Sequence, residues 1–359
     1  MKTYKLFLFS ILSLLCISCI ENYKKNIKTY TDFPQNRSLV AESIPNISDS
    51  IYPQSINLYN DKIILCDYES NPHFFVYKLP NFDFIGSFGK QGKGPTDIHD
   101  PVVWNQIENN KIGIYQINLM KFGFYDLDTL LESKLNKNKL NPIYMPPEIN
   151  DAVNIISLKK DVFIGAGANS KGEFFIYNEK TKDLKWKSFI SNFDKKFTQK
   201  VLDYDLMSEY KLGMIKIKPD KSMFVKSYIY VPVINVFDNN YNLKFTIKHK
   251  DLNQPIIDNA QKSLSPETKM YYTNCFLSDN YIYAVYRNCT LDDYSNYNCN
   301  NVEVHTFDWE GNPVIKYLLN EGIGPLSPFV LDEARDNIYT INPKTEDSYY
   351  SSFDIKDLP

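Results

Sequence analysis

The sequence predicts an all-β protein, a six-bladed β-propeller, from three observations: a repeated strand–turn–strand unit, an aromatic-rich composition and a truncated last repeat. The chain of 359 residues contains 27 Tyr and 23 Phe, and aromatic residues make up 15% of it. Aromatic side chains favour strands because they fit the half-buried surface of a sheet. The length suits one large all-β domain.

The repeated unit is an apolar strand that closes on an aromatic residue, followed by a polar turn and a second strand. The aromatic residues that mark the six copies, called anchor residues below, are Tyr77, Tyr125, Tyr177, Phe237, Phe307 and Phe353. Successive anchor residues are 46 to 70 residues apart, which suits four-stranded blades with variable loops. Another apolar strand precedes each anchor residue, and its alternation, as in "YIYAVY", is typical of strands.

The sixth copy ends at "FDIKDLP", which leaves no room for its outer strand. Because a propeller must close to remove exposed strand edges, we expect an N-terminal strand to close the last blade. The run Ser38–Ile44 is the candidate, so the predicted propeller covers residues 38–359. A pair of β-sandwiches is the alternative, but it explains neither six units nor the truncated last one.

The N-terminus is typical of a bacterial secretion signal. A short basic stretch, "MKTYK", precedes the apolar run "LFLFSILSLLCISC", which is too short for a membrane span. The segment Leu15–Cys19 resembles a lipobox, so we predict a lipoprotein signal peptide over residues 1–18 and lipidation of Cys19. A plain signal peptide cut nearby is the alternative. The polar, Lys-rich residues 19–37 are predicted to form a flexible tether.

Charge and cysteine content narrow the function classes. The net charge of −3 does not indicate a nucleic-acid-binding surface. In an exported chain disulfides can form, and Cys289 and Cys299 flank the polar stretch "TLDDYSNYN", so a bond between them is predicted. Cys66 and Cys275 lie in apolar strands and are expected to be buried as free thiols.

The glycine-rich stretch "SFGKQGKGPTDIHDP" raises the question of a phosphate-binding loop. It lacks the GxxxxGK[ST] spacing and the helix start that such a loop requires. A second GxGP segment, Gly322–Pro325, repeats Gly92–Pro95, and both segments follow an outer strand. We therefore interpret them as crossovers between blades, in which glycine allows unusual backbone angles and proline fixes the exit.

These segments, together with "VEVHTFDWEGNPVIKYLL" and the lipoprotein-like start, resemble the TolB-like six-bladed propeller lipoproteins of Bacteroidetes. The resemblance covers roughly residues 38 to 359, and its most specific marks are the F-G-x-x-G-x-G-P crossover and the "FDWEGNP" turn. It implies the propeller fold and a location in the cell envelope, in the periplasm or on the cell surface. It implies no agreed activity.

The function predicted from the sequence is non-catalytic binding or scaffolding, with an unidentified protein or glycan as partner and a lipid anchor in the membrane. The candidate binding residues at the mouth of the central channel are Lys93, Asp97, His99, Asp100 and Arg287. The alternative interpretation of Asp97, His99 and Asp100 is that they belong to a solvated loop with no binding role. The alternative function is a metal-dependent hydrolase or lyase at the channel mouth, for which calcium is the candidate metal; no motif predicts a cofactor.

Overall fold

The structure is a computed structural model. It describes residues 26–44, 46–47, 50–92, 97–99, 101–108, 111–132, 142–167, 171–189, 210–251, 253–296, 298–299, 302–320, 328–341 and 350–355.

Six antiparallel sheets form the blades of a ring, and the strands of each blade follow one another from the centre outwards. The strands of blades 1 to 3 are β4 (Ser55–Tyr59), β5 (Lys62–Cys66), β6 (Phe74–Lys78) and β7 (Asp83–Phe88); β8 (Pro101–Glu108), β9 (Lys111–Gln116), β10 (Lys121–Asp126) and β11 (Ile143–Tyr144); and β12 (Ala152–Lys159), β13 (Val162–Gly167), β14 (Phe174–Asn178) and β15 (Asp183–Lys187).

The strands of blades 4 to 6 are β16 (Ile215–Ile217), β17 (Met223–Ser227), β18 (Val233–Asp238) and β19 (Leu243–His249); β22 (Lys269–Leu277), β23 (Tyr281–Thr290), β24 (Val302–Asp308) and β25 (Pro313–Asn320); and β26 (Phe329–Asp332), β27 (Asn337–Ile341) and β28 (Tyr350–Asp354) with β3 (Glu42–Ser43). A small hairpin, β20 (Ile257–Asp258) and β21 (Ser263–Leu264), lies between blades 4 and 5.

The N-terminal strand β3 closes the last blade, as predicted. Ser43 and Glu42 pair with Ser351 and Ser352 of β28, and the Ile44 N–H donates to the Tyr350 carbonyl oxygen at 2.9 Å. The six-bladed propeller predicted from the sequence is therefore confirmed, although the closing strand is shorter than the predicted run.

The predicted tether over residues 19–37 is wrong for its second half. Strand β1 (Ile27–Tyr30) pairs in parallel with β19, and β2 (Gln35–Val40) pairs in parallel with β25. These strands add a fifth strand to blades 4 and 5, because the outermost strands there still offer unpaired backbone groups. The N-terminal segment thus lies against the propeller from residue 26 onwards, and residues 1–25, with Cys19, lie outside the described residues.

The core consists of apolar clusters between neighbouring blades, and each anchor residue belongs to one of them. All six anchor residues are buried on the third strand of a blade, and each packs toward the preceding blade. Phe237 of blade 4, for example, stacks on Phe224 and meets Phe174 of blade 3 edge to face, with ring centroids 5.3 Å apart. The recurring aromatic residue in the sequence is therefore the side chain that joins one blade to the next.

The second repeat differs from its prediction, because a helix replaces the expected outer strand. Helix α1 (Leu127–Leu131) follows β10, and the Asp126 side chain accepts a hydrogen bond from the Thr129 N–H at 2.9 Å. Leu127 and Leu130 are buried, and their i,i+3 spacing places both on one face toward blade 1. The outer strand is the short β11 instead, and Tyr144 on it is 64% exposed.

The "FDWEGNP" turn owes its geometry to an aspartate and a glycine. The Asp308 carboxylate accepts hydrogen bonds from the N–H groups of Glu310 and Asn312 and from the Asn312 side chain. Gly311 has a φ of 82°, and a Cβ there would lie 2.7 Å from the Phe245 ring. Only glycine fits this position without displacing its neighbours.

Candidate ligand-binding site in the central channel

The ring has two ends that carry different loops. Loops between successive blades and loops between the second and third strands lie at one end, called the crossover face here. Loops between the first and second strands and between the third and fourth strands lie at the other end, called the turn face. The crossover face carries the predicted binding residues that the structure describes, Asp97, His99 and Arg287.

Asp97 and His99 lie at the junction of blades 1 and 2. Ile98 between them is fully buried there, and its N–H donates to the Lys90 carbonyl oxygen at 3.1 Å. The His99 N–H donates to the Gln116 side-chain oxygen at 2.9 Å. Burial lowers the pKa of Lys121, and the nearby Asp97 carboxylate acts in the opposite direction. The loop is thus fixed to blade 2, whereas Lys93 and Asp100 lie outside the described residues.

Gly89 shows why glycine opens this crossover. Its φ is 80°, and a Cβ there would lie 2.7 Å from the Phe74 ring. Its carbonyl oxygen accepts a hydrogen bond from the His73 N–H at 3.1 Å. The close approach to the first blade requires a residue without a side chain. Both GxGP segments lie mainly or entirely outside the described residues.

Arg287 is placed apart from Asp97 and His99. It lies on β23, is 3% exposed, and donates from Nε to the Thr273 hydroxyl at 3.4 Å. Its guanidinium lies 5.5 Å from the centre of the Phe329 ring of blade 6, and burial lowers its pKa to about 10. These contacts join blades 5 and 6, so Arg287 packs between blades there.

A cavity of about 390 Å³ lies inside the ring toward the turn face, and the sequence did not predict it. It is lined by the innermost strands of five blades, represented by Asn57, Ile156, Lys216, Cys275 and Val330. This volume is in the range of small-molecule sites, and the lining combines apolar side chains with a few polar groups. The cavity is therefore the feature in the described residues best suited to hold a small ligand.

The cavity has a lysine and a cysteine in its interior and two carboxylates at its mouth. Lys216 and Cys275 lie within the strands β16 and β22, whereas Asp279 and Glu333 lie at the loops that follow β22 and β26. Burial raises the pKa of the Cys275 thiol, and its Sγ donates to the Ser227 hydroxyl at 3.6 Å. The thiol is thus a neutral wall of the cavity, and the Lys216 amine is the cation beside it.

The strand register explains the placement of Lys216. Ile215 on β16 packs into the cluster between blades 3 and 4. Neighbouring residues of a strand point to opposite faces, so Lys216 points away from that cluster and toward blade 5, where Cys275 lies. The only sequence signal is the alternation "IKI", in which a lysine interrupts two isoleucines.

A second buried polar group lies between blades 3 and 4. The Lys226 amine donates to the Lys211 carbonyl oxygen at 2.9 Å and lies 5.0 Å from the centre of the Tyr228 ring. The Glu173 carboxylate accepts hydrogen bonds from the Tyr228 hydroxyl and the Phe189 N–H. Each of these groups has a partner within the protein, so the network joins the two blades.

We expect the free energy of unfolding to rise with pH above 8 because of Lys226. Burial lowers its pKa from 10.5 to about 8, against the opposing effect of Glu173. Between these values the unfolded chain keeps a proton that the folded protein has released, so stability increases by up to about 1.4 kcal/mol per pH unit. Urea unfolding at pH 7.5, 8.5 and 9.5 measures the slope. Lys226→Met should reduce the slope, and the control Lys218→Met, which removes an amine paired with Asp220, should keep it. Equal slopes in both variants would contradict the assignment.

The polar stretch between Cys289 and Cys299 contains a short helix, and a disulfide joins the two cysteines that flank it. Cys289 and Cys299 are bonded in the structure, with Cα atoms 5.7 Å apart. Helix α2 (Leu291–Ser295) between them begins with a capping box, in which Thr290 and Asp293 exchange hydrogen bonds. Cys66 and Cys275 are buried free thiols, which agrees with the interpretation from the sequence.

Replacing both bonded cysteines, Cys289→Ser with Cys299→Ser, should lower the free energy of unfolding by about 2 to 3 kcal/mol. The bond closes a loop of 10 residues, and its loss increases the entropy of the unfolded chain. Urea unfolding of the oxidised wild type and the double variant checks this value. Mass spectrometry of the unreduced protein is the control: free thiols at both positions would refute the bond.

No three His, Cys, Asp or Glu side chains in the described ranges are grouped so that they could hold a metal ion. Within the same part of the chain, no helix is long and apolar enough to cross a membrane.

The ring of six four-stranded blades around a channel defines the protein as a β-propeller. Residues 29–334 match the family model described as TolB-like 6-blade propeller-like, and the chain belongs to this family. No curated protein matches the sequence.

Two solved structures show the same fold. A putative exported protein from Bacteroides fragilis is 11% identical, with a TM-score of 0.54 over 92% of this chain and 100% of that one. A member of the DUF4221 family from Bacteroides vulgatus is 12% identical, with a TM-score of 0.54 over 89% of this chain and 97% of that one. At this identity the likeness concerns the fold alone.

Proposed function

We propose that the protein is an envelope lipoprotein whose propeller binds a small ligand in the central channel without converting it. The occupant is a small molecule, or the end of a protein or glycan chain that enters the channel. The observation that carries the proposal is the cavity of about 390 Å³, to which five blades contribute their innermost strands. A site made from many parts of the chain is preorganised, since ring closure fixes its walls before ligand arrives.

The location rests on separate support. The similar protein from Bacteroides fragilis is described as a putative exported protein. The first 18 residues of this chain read as a signal peptide, and Ser18 precedes the cysteine at position 19. Anchoring at Cys19 leaves residues 20–26 to connect the lipid to strand β1, a shorter tether than the sequence alone suggested.

The anchor is tested by metabolic labelling with an alkyne analogue of palmitate. The wild type should carry the label and fractionate with membranes, and Cys19→Ala should do neither. Cys16→Ala is the matched control, because it alters the neighbouring cysteine of the same segment. Label retained by Cys19→Ala would refute lipidation at this residue.

Ligand binding in the channel is tested by native mass spectrometry of protein purified from its own membrane. The wild type should retain a small molecule, and Asn57→Trp, which fills the channel wall of blade 1, should lose it. Lys185→Trp, on the exposed outer strand β15, is the matched control and should retain the ligand. Retention by Asn57→Trp would exclude the channel as the site, and release of the ligand in chemically altered form would indicate an enzyme.

A further inference from the structure

We infer that the channel ligand carries a single anionic group, a carboxylate or a phosphate, and that the Lys216 amine binds this group. The inference rests on the proposed function, because it concerns the same cavity. It adds the charge of the ligand and the residue that recognises it.

The Lys216 amine has no hydrogen-bond or ion-pair partner among the described residues. It lines the cavity, yet it forms no hydrogen bond or ion pair with another described side chain or carbonyl group. Its neighbours on blade 4 differ. Lys218 pairs with Asp220 at 3.1 Å and lies 5.1 Å from the centre of the Trp309 ring, and Lys226 donates to a carbonyl oxygen.

An unpaired amine in the channel wall lowers the stability of the folded protein. A half-buried cation destabilises the folded state unless an anion lies beside it. Burial lowers the pKa of Lys216, and the neighbouring Cys275 offsets this effect only in part. The Cys275 thiol is neutral at pH 7, and the two carboxylates of the cavity lie at its mouth, so an anionic ligand is the group that can place a counter-charge beside Lys216. Charge-assisted hydrogen bonds from an amine to a carboxylate or phosphate are strong enough to supply it.

The carboxylates at the cavity mouth limit the ligand further. Glu333 accepts a hydrogen bond from the Tyr283 hydroxyl at 2.8 Å, and Asp279 is exposed in the loop after β22. Two negative groups at the entrance repel polyanions and favour a ligand whose outer part is neutral or positively charged. With negative groups at the mouth and an amine deeper in the channel, the cavity favours a monoanion or a zwitterion whose anionic end points toward Lys216.

Isothermal titration calorimetry with four probes tests the inference: butyrate, 4-aminobutyrate, inorganic phosphate and the neutral analogue butyramide. At least one of the three charged probes should bind, and butyramide should bind about tenfold or more weakly, since a charge-assisted hydrogen bond is lost. Lys216→Met should lower the affinity for the charged probe that binds by about tenfold or more. Lys218→Met, which removes a nearby lysine that already has a partner, is the matched control and should change affinity by less than about twofold.

The three charged probes also show whether the anionic group of the ligand is a carboxylate or a phosphate. Binding of butyrate or 4-aminobutyrate indicates a carboxylate ligand, and binding of phosphate alone indicates a phosphate ligand. Unchanged affinity in Lys216→Met, or failure of all charged probes, would overturn the inference. If the natural ligand is lost from Asn57→Trp but not from Lys216→Met, the proposed function stands and only the anion assignment fails.

Discussion

A chain that lacks residues 1–44 should fail to form a stable folded monomer. This truncation removes the closing strand β3 together with β1 and β2, and it exposes one edge of β28. It also removes four buried side chains, Tyr30, Phe33, Leu39 and Ile44. Burial of each such side chain contributes about 1.5 to 3 kcal/mol, so the loss of about 6 to 12 kcal/mol is comparable to the whole stability of a typical domain.

The matched control is a chain that lacks residues 1–25 only, which retains every strand that the structure describes. Circular dichroism and size-exclusion chromatography compare the two proteins after expression without a signal sequence. The control should be monomeric with a cooperative thermal transition, and the shorter chain should aggregate or lack the transition. A shorter chain that melts cooperatively within a few degrees of the control would show that the ring does not depend on N-terminal closure.

Tyr30→Ala should lower the free energy of unfolding by about 3 to 5 kcal/mol, the range for large aromatic side chains removed from a core. Tyr30 is 5% exposed and inserts between blades 4 and 5, where its ring meets Phe33 and Phe307 edge to face. Its hydroxyl is hydrogen bonded to the Tyr272 hydroxyl and lies 3.3 Å from His305 Nδ1. One side chain of β1 thus secures the N-terminal segment by packing and by a buried polar contact.

Tyr30→Phe separates these two contributions. It keeps the ring and removes the hydroxyl, so we expect a loss of about 1 to 3 kcal/mol from the buried groups left without their partner. Tyr144→Ala, at an exposed position of β11, is the surface control and should change stability by less than about 0.5 kcal/mol. Urea unfolding of the three variants measures these values. A Tyr30→Ala variant as stable as the surface control would mean that β1 does not pack against blades 4 and 5 in solution.

The blades could be predicted from the sequence because each is local. The anchor residues recur on the third strand, and a turn residue such as Asp308 lies within four residues of the groups that it contacts. Periodic patterns of this kind report strand pairs that are neighbours in the chain. The closing strand β3 was predicted not from a local pattern but from the absence of an outer strand in the last repeat.

The fifth strands and helix α1 could not be predicted in the same way. Strand β1 has the sequence IKTY and pairs with β19, more than 200 residues away, so no local alternation marks it. In the second repeat, the spacing of Leu127 and Leu130 and the cap at Asp126 favoured a helix over the expected strand. Local capping outweighed the repeat pattern there.

The candidate site was the least predictable part, because its walls come from separate blades. The sequence directed attention to compact polar groups such as Asp97 and His99, which the structure fixes against blade 2. Lys216, by contrast, stands alone in its strand, and its importance arises only when Cys275 of the next blade lies beside it. A lysine between two isoleucines matches no known motif. Lys216 lines the channel only because the propeller brings blades 4 and 5 together.

The most direct test of ligand binding in the channel is a crystal structure of the protein purified with its retained ligand. We expect electron density inside the ring between β16 and β22, with an anionic group within hydrogen-bonding distance of Lys216 Nζ. Density for the ligand only among the loops of the crossover face, with the channel free of it, would contradict the account.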